Sequence, residues 1–316
     1  MTLKSPQQNP DAGPPLAPPF QAERRETDAR AGPMTHWVTG QGTPLLVLHS
    51  INAAASAAEI RPIVEHARTD RRVWAPDLPG FGFSSRRERD YTIRLYVDAV
   101  HDALDAIEAE HGAQPVDAIA LSLSAEFLAR AAAERPQRLR SLTLITPTGF
   151  SRGAERMRGE PGASREVPGI HRTVSGRPWS RGLFNLLVSR PSIRFFLRKT
   201  WGSADIDNTL ADYCHASAHQ PGARHAPFAF LSARLFSRDI RNVYESLRLP
   251  VLLAHGTRGD FRDFSQAAWT HSRPNWRVQA FDTGAMLHFE QPEAFMRLWR
   301  DFIDQPPSAQ GLARKD

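Results

Sequence analysis

Short apolar runs alternate with longer amphipathic stretches between residues 36 and 150, and this alternation strongly limits the folds open to the chain. The runs "PLLVLHS", "VDAIAL" and "LRSLTLITP" are rich in Leu, Val and Ile, as is typical of buried strands. Between them, "YTIRLYVDAVHDALDAIEAEHG" and "AEFLARAAAERP" carry apolar residues at helical spacing. We therefore predict an α/β fold, with a mostly parallel sheet and helices on both faces. Ligands of such sheets bind at the carboxyl ends of the strands.

The alternation stops near Phe150 and resumes with "LPVLLAHG". We expect a core formed by residues 34–150 and 241–306, and a helical lid formed by residues 151–240 over the carboxyl edge of the sheet. From Ser151 to Thr200 the lid has eleven Arg or Lys and three Glu. This charge indicates either a solvated rim of arginines, the reading we favour, or a pocket that selects an acidic substrate.

Both ends of the chain lack periodicity. Residues 1–33 are Pro-rich and polar and predict a disordered tail, because such a segment buries too little apolar surface to offset its ordering entropy. Residues 307–316 predict a flexible tail.

Composition excludes several classes of function. The chain has no run of roughly 18 apolar residues and no basic-then-apolar start, which predicts a cytoplasmic protein without a membrane partner. The single cysteine, Cys214, excludes an internal disulfide and a multi-cysteine metal site, and we expect no metal or organic cofactor. Arg supplies 37 of 40 basic residues without an aromatic-interleaved basic run, so we predict no nucleic-acid partner.

The stretch "PVDAIALSLSAEFLARAA" passes from strand to helix and carries two serines at the junction. A nucleophile elbow holds its serine at positive φ and needs small residues two positions before and after it. Around Ser122 these positions are Ala120 and Ser124, whereas Ser124 would have the bulky Glu126 two residues later. The pattern favours Ser122 as the nucleophile, although a serine at this place can also be a simple helix cap.

Three further motifs accompany this elbow in a fixed order. "LLVLHS" at 45–50 precedes it, "DLPGFGFSS" at 77–85 forms the turn after a strand, and "EQPEAF" at 290–295 opens the last helix. With "ALSLSA" around Ser122, the chain resembles the α/β-hydrolase superfamily from about residue 36 to 305. The resemblance implies that Ser122 attacks an acyl carbon.

The resemblance also implies an oxyanion hole. Its donors would be the backbone N–H groups of Leu123 and Ile51. Ser50 stands where the family usually has glycine, a departure that affects the backbone angle of the second donor. His49 is expected to orient this loop rather than to transfer protons.

The family order of serine, acid and histidine places the acid after "VLLAHG". Its usual position holds Gly259, so the candidate acid is Asp260, one residue later, with Asp263 as an alternative. An Asp in this setting is also a common turn former.

The base shows the largest departure from the family. The register of "EQPEAF" puts Ala285 at the usual position of the histidine. His288 follows three residues later and would face the same way if the chain turns helically after Gly284. We predict His288 as the base, the alternative being a residue that supports the site without touching the substrate.

Two functions follow from these residues. The first is a serine hydrolase that cleaves a small ester, lactone or related activated acyl compound through an acyl-enzyme, with Ser122, Asp260 and His288 as the triad. The second is a ligand-binding protein on a hydrolase scaffold, which Ala285 supports. The expected partner is a small-molecule acyl substrate.

Overall fold

A computed structural model of the chain describes residues 15–167, 169–176 and 179–307. It contains one eight-stranded sheet in the order β1-β2-β4-β3-β5-β6-β7-β8. The strands are β1 Glu23–Ala29, β2 Gly32–Thr39, β3 Thr43–Leu48, β4 Arg71–Pro76, β5 Val116–Leu121, β6 Leu139–Ile145, β7 Val251–Gly256 and β8 Trp276–Phe281. β2 pairs antiparallel with β1 and β4, and the pairs from β4 to β8 are parallel.

The helices lie between and after these strands. They are α1 Arg61–Ala67, α2 Ile93–His111, α3 Ser124–Glu134, α4 Ile170–Ser175, α5 Ser180–Leu187, α6 Arg190–Trp201, α7 Asn208–Ala218, α8 His225–Leu231, α9 Ile240–Ser246, α10 Leu287–Glu290 and α11 Pro292–Asp304. Short 3-10 helices cover Ala57–Ile60, Pro136–Arg138, Ala154–Arg156 and Ser265–Ser272.

Local chemistry sets the ends of the longest helix. The Thr92 hydroxyl accepts a hydrogen bond from the Leu95 N–H at the start of α2, and Gly112, at a φ of 76°, ends it. This agrees with the helix that the sequence predicts.

The sheet is buried on both faces, because each central strand sends alternate side chains into two apolar clusters. In β5, Ala118 and Ala120 face the cluster formed with α2, α3 and α9, whereas Ile119 and Leu121 face the cluster formed with α1 and α11. This explains why the parallel strands read as continuous apolar runs. The parallel register aligns the carboxyl ends of β3, β5, β6 and β7, so the loops that follow them meet at one edge.

The segment between β6 and β7 contains α4 to α9. Its only cysteine, Cys214 on α7, is buried among apolar residues, and this burial raises the pKa of the thiol. The thiol therefore fills space in the core.

The tail prediction is wrong for residues 23–33, which form β1 and the start of β2. β1 reads "ERRETDA" and is largely exposed, so its order comes from backbone pairing with β2 and from ion pairs of Arg25 with Glu110 and of Arg30 with Asp102. A polar edge strand of this kind leaves no apolar periodicity to detect. The predicted tails at 1–14 and 308–316 lie outside the described residues.

In the part of the chain that the structure describes, no helix is both long and apolar enough to cross a membrane.

Candidate active site

Ser122 lies at the sharp turn between β5 and α3. Its φ is 55°, in the left-handed region that non-glycine residues rarely adopt, and its N–H donates to the Ile145 carbonyl at 2.9 Å. The flanking Ala120 and Ser124 are fully buried, so the strand and helix backbones approach closely there. The half-buried Ser122 side chain thus has the backbone geometry of a nucleophile elbow.

The second serine of this stretch has a different environment. Ser124 is the first residue of α3 and is fully buried, and its hydroxyl donates to the His49 carbonyl at 2.5 Å. This contact ties the elbow to the loop after β3. Ser124 therefore positions that loop and is not open to a ligand.

The loop after β3, which carries the predicted oxyanion donor Ile51, is fixed by His49. The His49 ring accepts a hydrogen bond from the Leu78 N–H at 2.9 Å and donates one to the Ser50 carbonyl at 2.6 Å. Both ring nitrogens are therefore used by backbone groups. His49 orients the loop, as the resemblance implies, and has no free nitrogen for proton transfer.

Glu59 holds the same loop from its other side. Its buried carboxylate accepts hydrogen bonds from the Ser50 N–H at 2.9 Å and from the Asn52 side-chain amide at 2.6 Å. Sequence reasoning missed Glu59, because a lone Glu at the start of a short helix carries no motif. The side chain of Ser50, the departure from the usual glycine, accepts from the same Asn52 amide.

His288 is fully buried and donates its Nε2 hydrogen to the Glu59 carbonyl at 2.7 Å. Its Nδ1 is buried without a hydrogen-bond partner among the described residues. Burial lowers the pKa of His288 to about 4, so the ring is neutral near pH 7. His288 thus supports the loop that Glu59 organises.

The predicted acid also has other partners. Asp260 is exposed and forms an ion pair with Lys199 at 3.0 Å, and its N–H donates to the Lys199 carbonyl. The alternative, Asp263, accepts hydrogen bonds from the backbone N–H groups of Arg152 and Ser265, which lower its pKa to about 2. Asp260 thus contacts α6, and Asp263 contacts the loop after β6 and the start of the 3-10 helix Ser265–Ser272.

Two of the three predicted triad residues, Asp260 and His288, bond groups outside the triad. Across the described ranges, no hydrogen bond joins Ser122, Asp260 and His288 to one another. The His288 imidazole donates instead to the Glu59 carbonyl, and the triad stays a prediction. Sequence reasoning had no information on which carbonyl would accept the N–H of His288.

Ala285, at the usual position of the base, lies close to the elbow. Its carbonyl accepts from the Thr146 hydroxyl at 3.0 Å, and Thr146 directly follows Ile145, the partner of Ser122. Thr146 also has a positive φ, 45°, which the sequence did not indicate. The usual place of the imidazole is thus filled by a buried methyl group.

The end of α6 packs directly on the two loops that would carry the acid and the base. The Thr200 carbonyl accepts from the Ala285 N–H at 2.8 Å, and a Cβ added to Gly284 would lie only 2.3 Å from the Trp201 carbonyl oxygen. This helix therefore fixes the backbone of both loops.

Glu126, four residues after Ser122, is a further residue that sequence reasoning did not assign to the site. It is buried, which raises its pKa, and it accepts from the Thr148 hydroxyl at 2.5 Å and the Ser237 N–H at 2.9 Å. Glu126 thereby joins α3, the loop after β6 and the segment before α9. Among the described residues, no cluster of three or more His, Cys, Asp or Glu could hold a metal ion.

The first half of the chain is similar in sequence to known proteins. The sequence model of the alpha/beta hydrolase fold family matches residues 43–166, which include Ser122 and the loop after β3 but not Asp260 or His288. The 2-hydroxymuconate semialdehyde hydrolase of Pseudomonas sp. (strain CF600) is 32% identical over 115 residues, 36% of this chain and 39% of that protein. The 2-hydroxy-6-oxo-2,4-heptadienoate hydrolase of Pseudomonas putida F1 is 31% identical over 114 residues, 35% of this chain and 40% of that protein. The chain thus aligns with about two fifths of the length of these curated relatives.

Solved structures resemble the chain over a longer range. A serine hydrolase involved in carbazole degradation superposes with a TM-score of 0.69 at 15% identity, covering 90% of this chain and 99% of that one. At this identity the likeness shows the fold alone. The sheet order and the structural match confirm the predicted α/β-hydrolase fold, and residues 43–166 also match the sequence model of that fold family.

Proposed function

We propose that the chain is a hydrolase that cleaves a small, activated acyl compound at Ser122. The observation that supports this most is the positive φ of Ser122. A non-glycine residue in this conformation costs of the order of 1–3 kcal/mol, and such strain collects at functional sites. A scaffold without chemistry at this turn would gain stability by relaxing it.

In the proposed reaction the Ser122 Oγ forms a bond to the substrate's carbonyl carbon. The oxyanion that develops accepts hydrogen bonds from the backbone N–H groups of Leu123 and Ile51. The bond to the leaving group then breaks, the leaving group takes the proton lost by Ser122, and water hydrolyses the acyl-enzyme to release the acid.

The missing imidazole restricts the substrate class. His288 donates its hydrogen to Glu59, and Ala285 offers no base, so the leaving group receives little help from a protein acid. Compounds whose leaving group is a weakly basic, stabilised anion, such as an enolate or a phenolate, depend least on such help. We therefore favour activated substrates over simple alkyl esters or amides.

The relatives suggest which activated compounds to try. Their names describe hydrolases of 2-hydroxymuconate semialdehyde and of a 2-hydroxy-6-oxo-heptadienoate, and do not name an ester or a lactone. We therefore consider an oxo-dienoate acid of that type as a candidate substrate of this chain, in addition to the ester or lactone expected from sequence.

The test is turnover of a small panel by wild type and Ser122→Ala. The panel contains 2-hydroxymuconate semialdehyde, an enol lactone and p-nitrophenyl acetate. We expect at least one compound to be hydrolysed by wild type and its rate to fall by a factor of roughly 10³ or more in Ser122→Ala. Equal rates in the two proteins would contradict the proposal.

A second function, ligand binding without turnover, is favoured by one observation. The residue at the usual base position is Ala285, and the nearest histidine in sequence is bonded to Glu59. Under this alternative, wild type turns over none of the panel but binds one of its members in calorimetry, and Ser122→Ala binds it equally well.

A further inference from the structure

The outer surface of α5 and α6 exposes large apolar side chains. Nine such residues are exposed in the part of the chain that the structure describes, and five of them lie between residues 179 and 196. They are Trp179, Leu183, Leu186, Phe195 and Phe196, exposed by 44–70%. Single exposed apolar residues are ordinary, but a concentration in one helix pair marks an interaction surface.

The spacing on α5 places three of these five residues in one stripe. Trp179, Leu183 and Leu186 follow one another at intervals of four and three residues, which places them on one helical face. The opposite face of α5 buries Phe184 and Val188 in the core. The helix is thus apolar both towards the protein and towards solvent.

The same two helices are strongly basic. From Trp179 to Trp201 the sequence has four Arg, one Lys and no acidic residue. Arg190 pairs with Asp212 and Lys199 with Asp260, whereas Arg181, Arg194 and Arg198 form no ion pair with any described residue. The half-buried Arg194 donates a hydrogen bond to the Asn208 side-chain oxygen at 2.9 Å, and Arg181 and Arg198 are exposed.

A further exposed aromatic residue, in the loop after β7, lies next to the end of α6. Phe261 follows Asp260, whose N–H donates to the Lys199 carbonyl. We define the basic apolar face as Trp179, Leu183, Leu186, Phe195, Phe196 and Phe261 with Arg181, Arg194 and Arg198.

We propose that the basic apolar face docks on the surface of an anionic lipid bilayer. Helices that lie in a bilayer interface combine exposed Trp, Phe and Leu with flanking Arg or Lys, which is the composition of this face. The apolar side chains enter the boundary between headgroups and acyl chains, and the exposed guanidinium groups of Arg181 and Arg198 bind lipid phosphates. The proposal departs from the sequence-based expectation of no membrane partner, because the exposure of these side chains is visible only in the structure.

The positive charge of the basic apolar face favours an anionic bilayer over a second copy of the chain as its partner. Two such faces in contact would bring together arginines that have no carboxylate partner, and burying like charges against each other is costly. An anionic surface instead neutralises them. The proposal is independent of the chemistry at Ser122, so Ser122→Ala should bind vesicles as wild type does.

The test is co-sedimentation of the full chain with vesicles. We expect binding to vesicles of phosphatidylcholine mixed with phosphatidylglycerol, weaker binding in high salt and little binding to pure phosphatidylcholine. Leu183→Ser with Leu186→Ser should abolish binding. Arg181→Gln with Arg198→Gln should lower the partition coefficient roughly 10- to 30-fold, since two basic groups are removed.

Matched controls keep the outcome decisive. Arg135→Gln with Arg277→Gln removes two exposed arginines from outside the basic apolar face and should leave binding unchanged. Thermal melting of each variant checks folding, which exposed substitutions rarely affect. Two results would overturn the proposal: no binding of folded wild type to anionic vesicles, or self-association in sedimentation velocity that the leucine substitutions abolish.

Discussion

At the scale of single residues, two side chains depart from what the superfamily implies, and they depart together. Ala285 fills the usual place of the base with a methyl group, and His288 donates its hydrogen to Glu59. Glu59 in turn binds the Ser50 N–H and the Asn52 amide, so His288 acts on the loop of Ile51 through Glu59. His288 is therefore a positioning residue in our account.

His288→Gln tests this role, because glutamine keeps an N–H donor for the Glu59 carbonyl. We expect the rate of Ser122 acylation to fall by less than about tenfold, whereas loss of a general base costs on the order of 10²–10⁴. Labelling kinetics with a fluorophosphonate probe, from pH 6 to 9, measure the rate. A drop of a hundredfold or more in the folded variant would restore His288 as the base.

Ala285→His tests the usual base position directly. The Ala285 carbonyl is bonded to Thr146, next to the partner of Ser122, so an imidazole at this position should reach the elbow. We expect acylation to rise about tenfold or more. Ala285→Gln is the control of similar size without a base, and an equal effect of both substitutions would contradict the expectation.

At the scale of elements, the end of α6 and the loops after β7 and β8 form one packed unit. Gly284 touches the backbone of Thr200 and Trp201, and Gly202 touches Gly259 in the same way. The apolar runs and helical periodicities predicted the strands and helices of the core, because both signals are local. These contacts join residues about 60–80 positions apart in sequence, and no local pattern encodes them.

Gly284→Ala should destabilise this unit. Its Cβ would lie 2.3 Å from a backbone oxygen, so α6 or the loop must shift, and overpacking of this kind costs about 1–3 kcal/mol. Gly182→Ala is the matched control: Gly182 lies inside α5 with open space around it, so alanine should leave stability unchanged or raise it by up to about 1 kcal/mol. Urea unfolding measures the free energy of unfolding of both variants. Equal changes in the two variants would show that the contact at Gly284 is loose.

At the scale of the whole molecule, burial of neutral histidines makes stability depend on pH. Burial lowers the pKa of His36 and of His288 from 6.5 to about 4. Between these values the unfolded chain binds protons that the folded chain does not. The free energy of unfolding therefore has its full value above about pH 6.5. It decreases as the pH falls towards 4, by roughly 3 kcal/mol for each histidine.

His288→Gln should remove part of this acid sensitivity. Unfolding free energies from urea titrations at pH 7.5 and 4.5 give the difference for wild type and variant. The exposed His271→Gln is the control and should keep the full difference. An unchanged difference in His288→Gln would mean that the imidazole is protonated inside the fold.

Sequence predicted the overall architecture well and the site only in part. The elbow could be identified from the small residues around Ser122, because its steric requirement concerns positions close to Ser122 in sequence. The partners of His288 and Asp260 could not be predicted, because both belong to distant elements: His288 bonds Glu59 and Asp260 bonds Lys199. The edge strand β1 escaped prediction for the related reason that backbone pairing orders it.

The measurement that tests the central claim most directly is intact-mass labelling with a fluorophosphonate probe. We predict a single adduct on wild type and on folded Ser124→Ala, and none on Ser122→Ala. An adduct that persists on Ser122→Ala, or no adduct on folded wild type, would contradict the claim that Ser122 is the nucleophile.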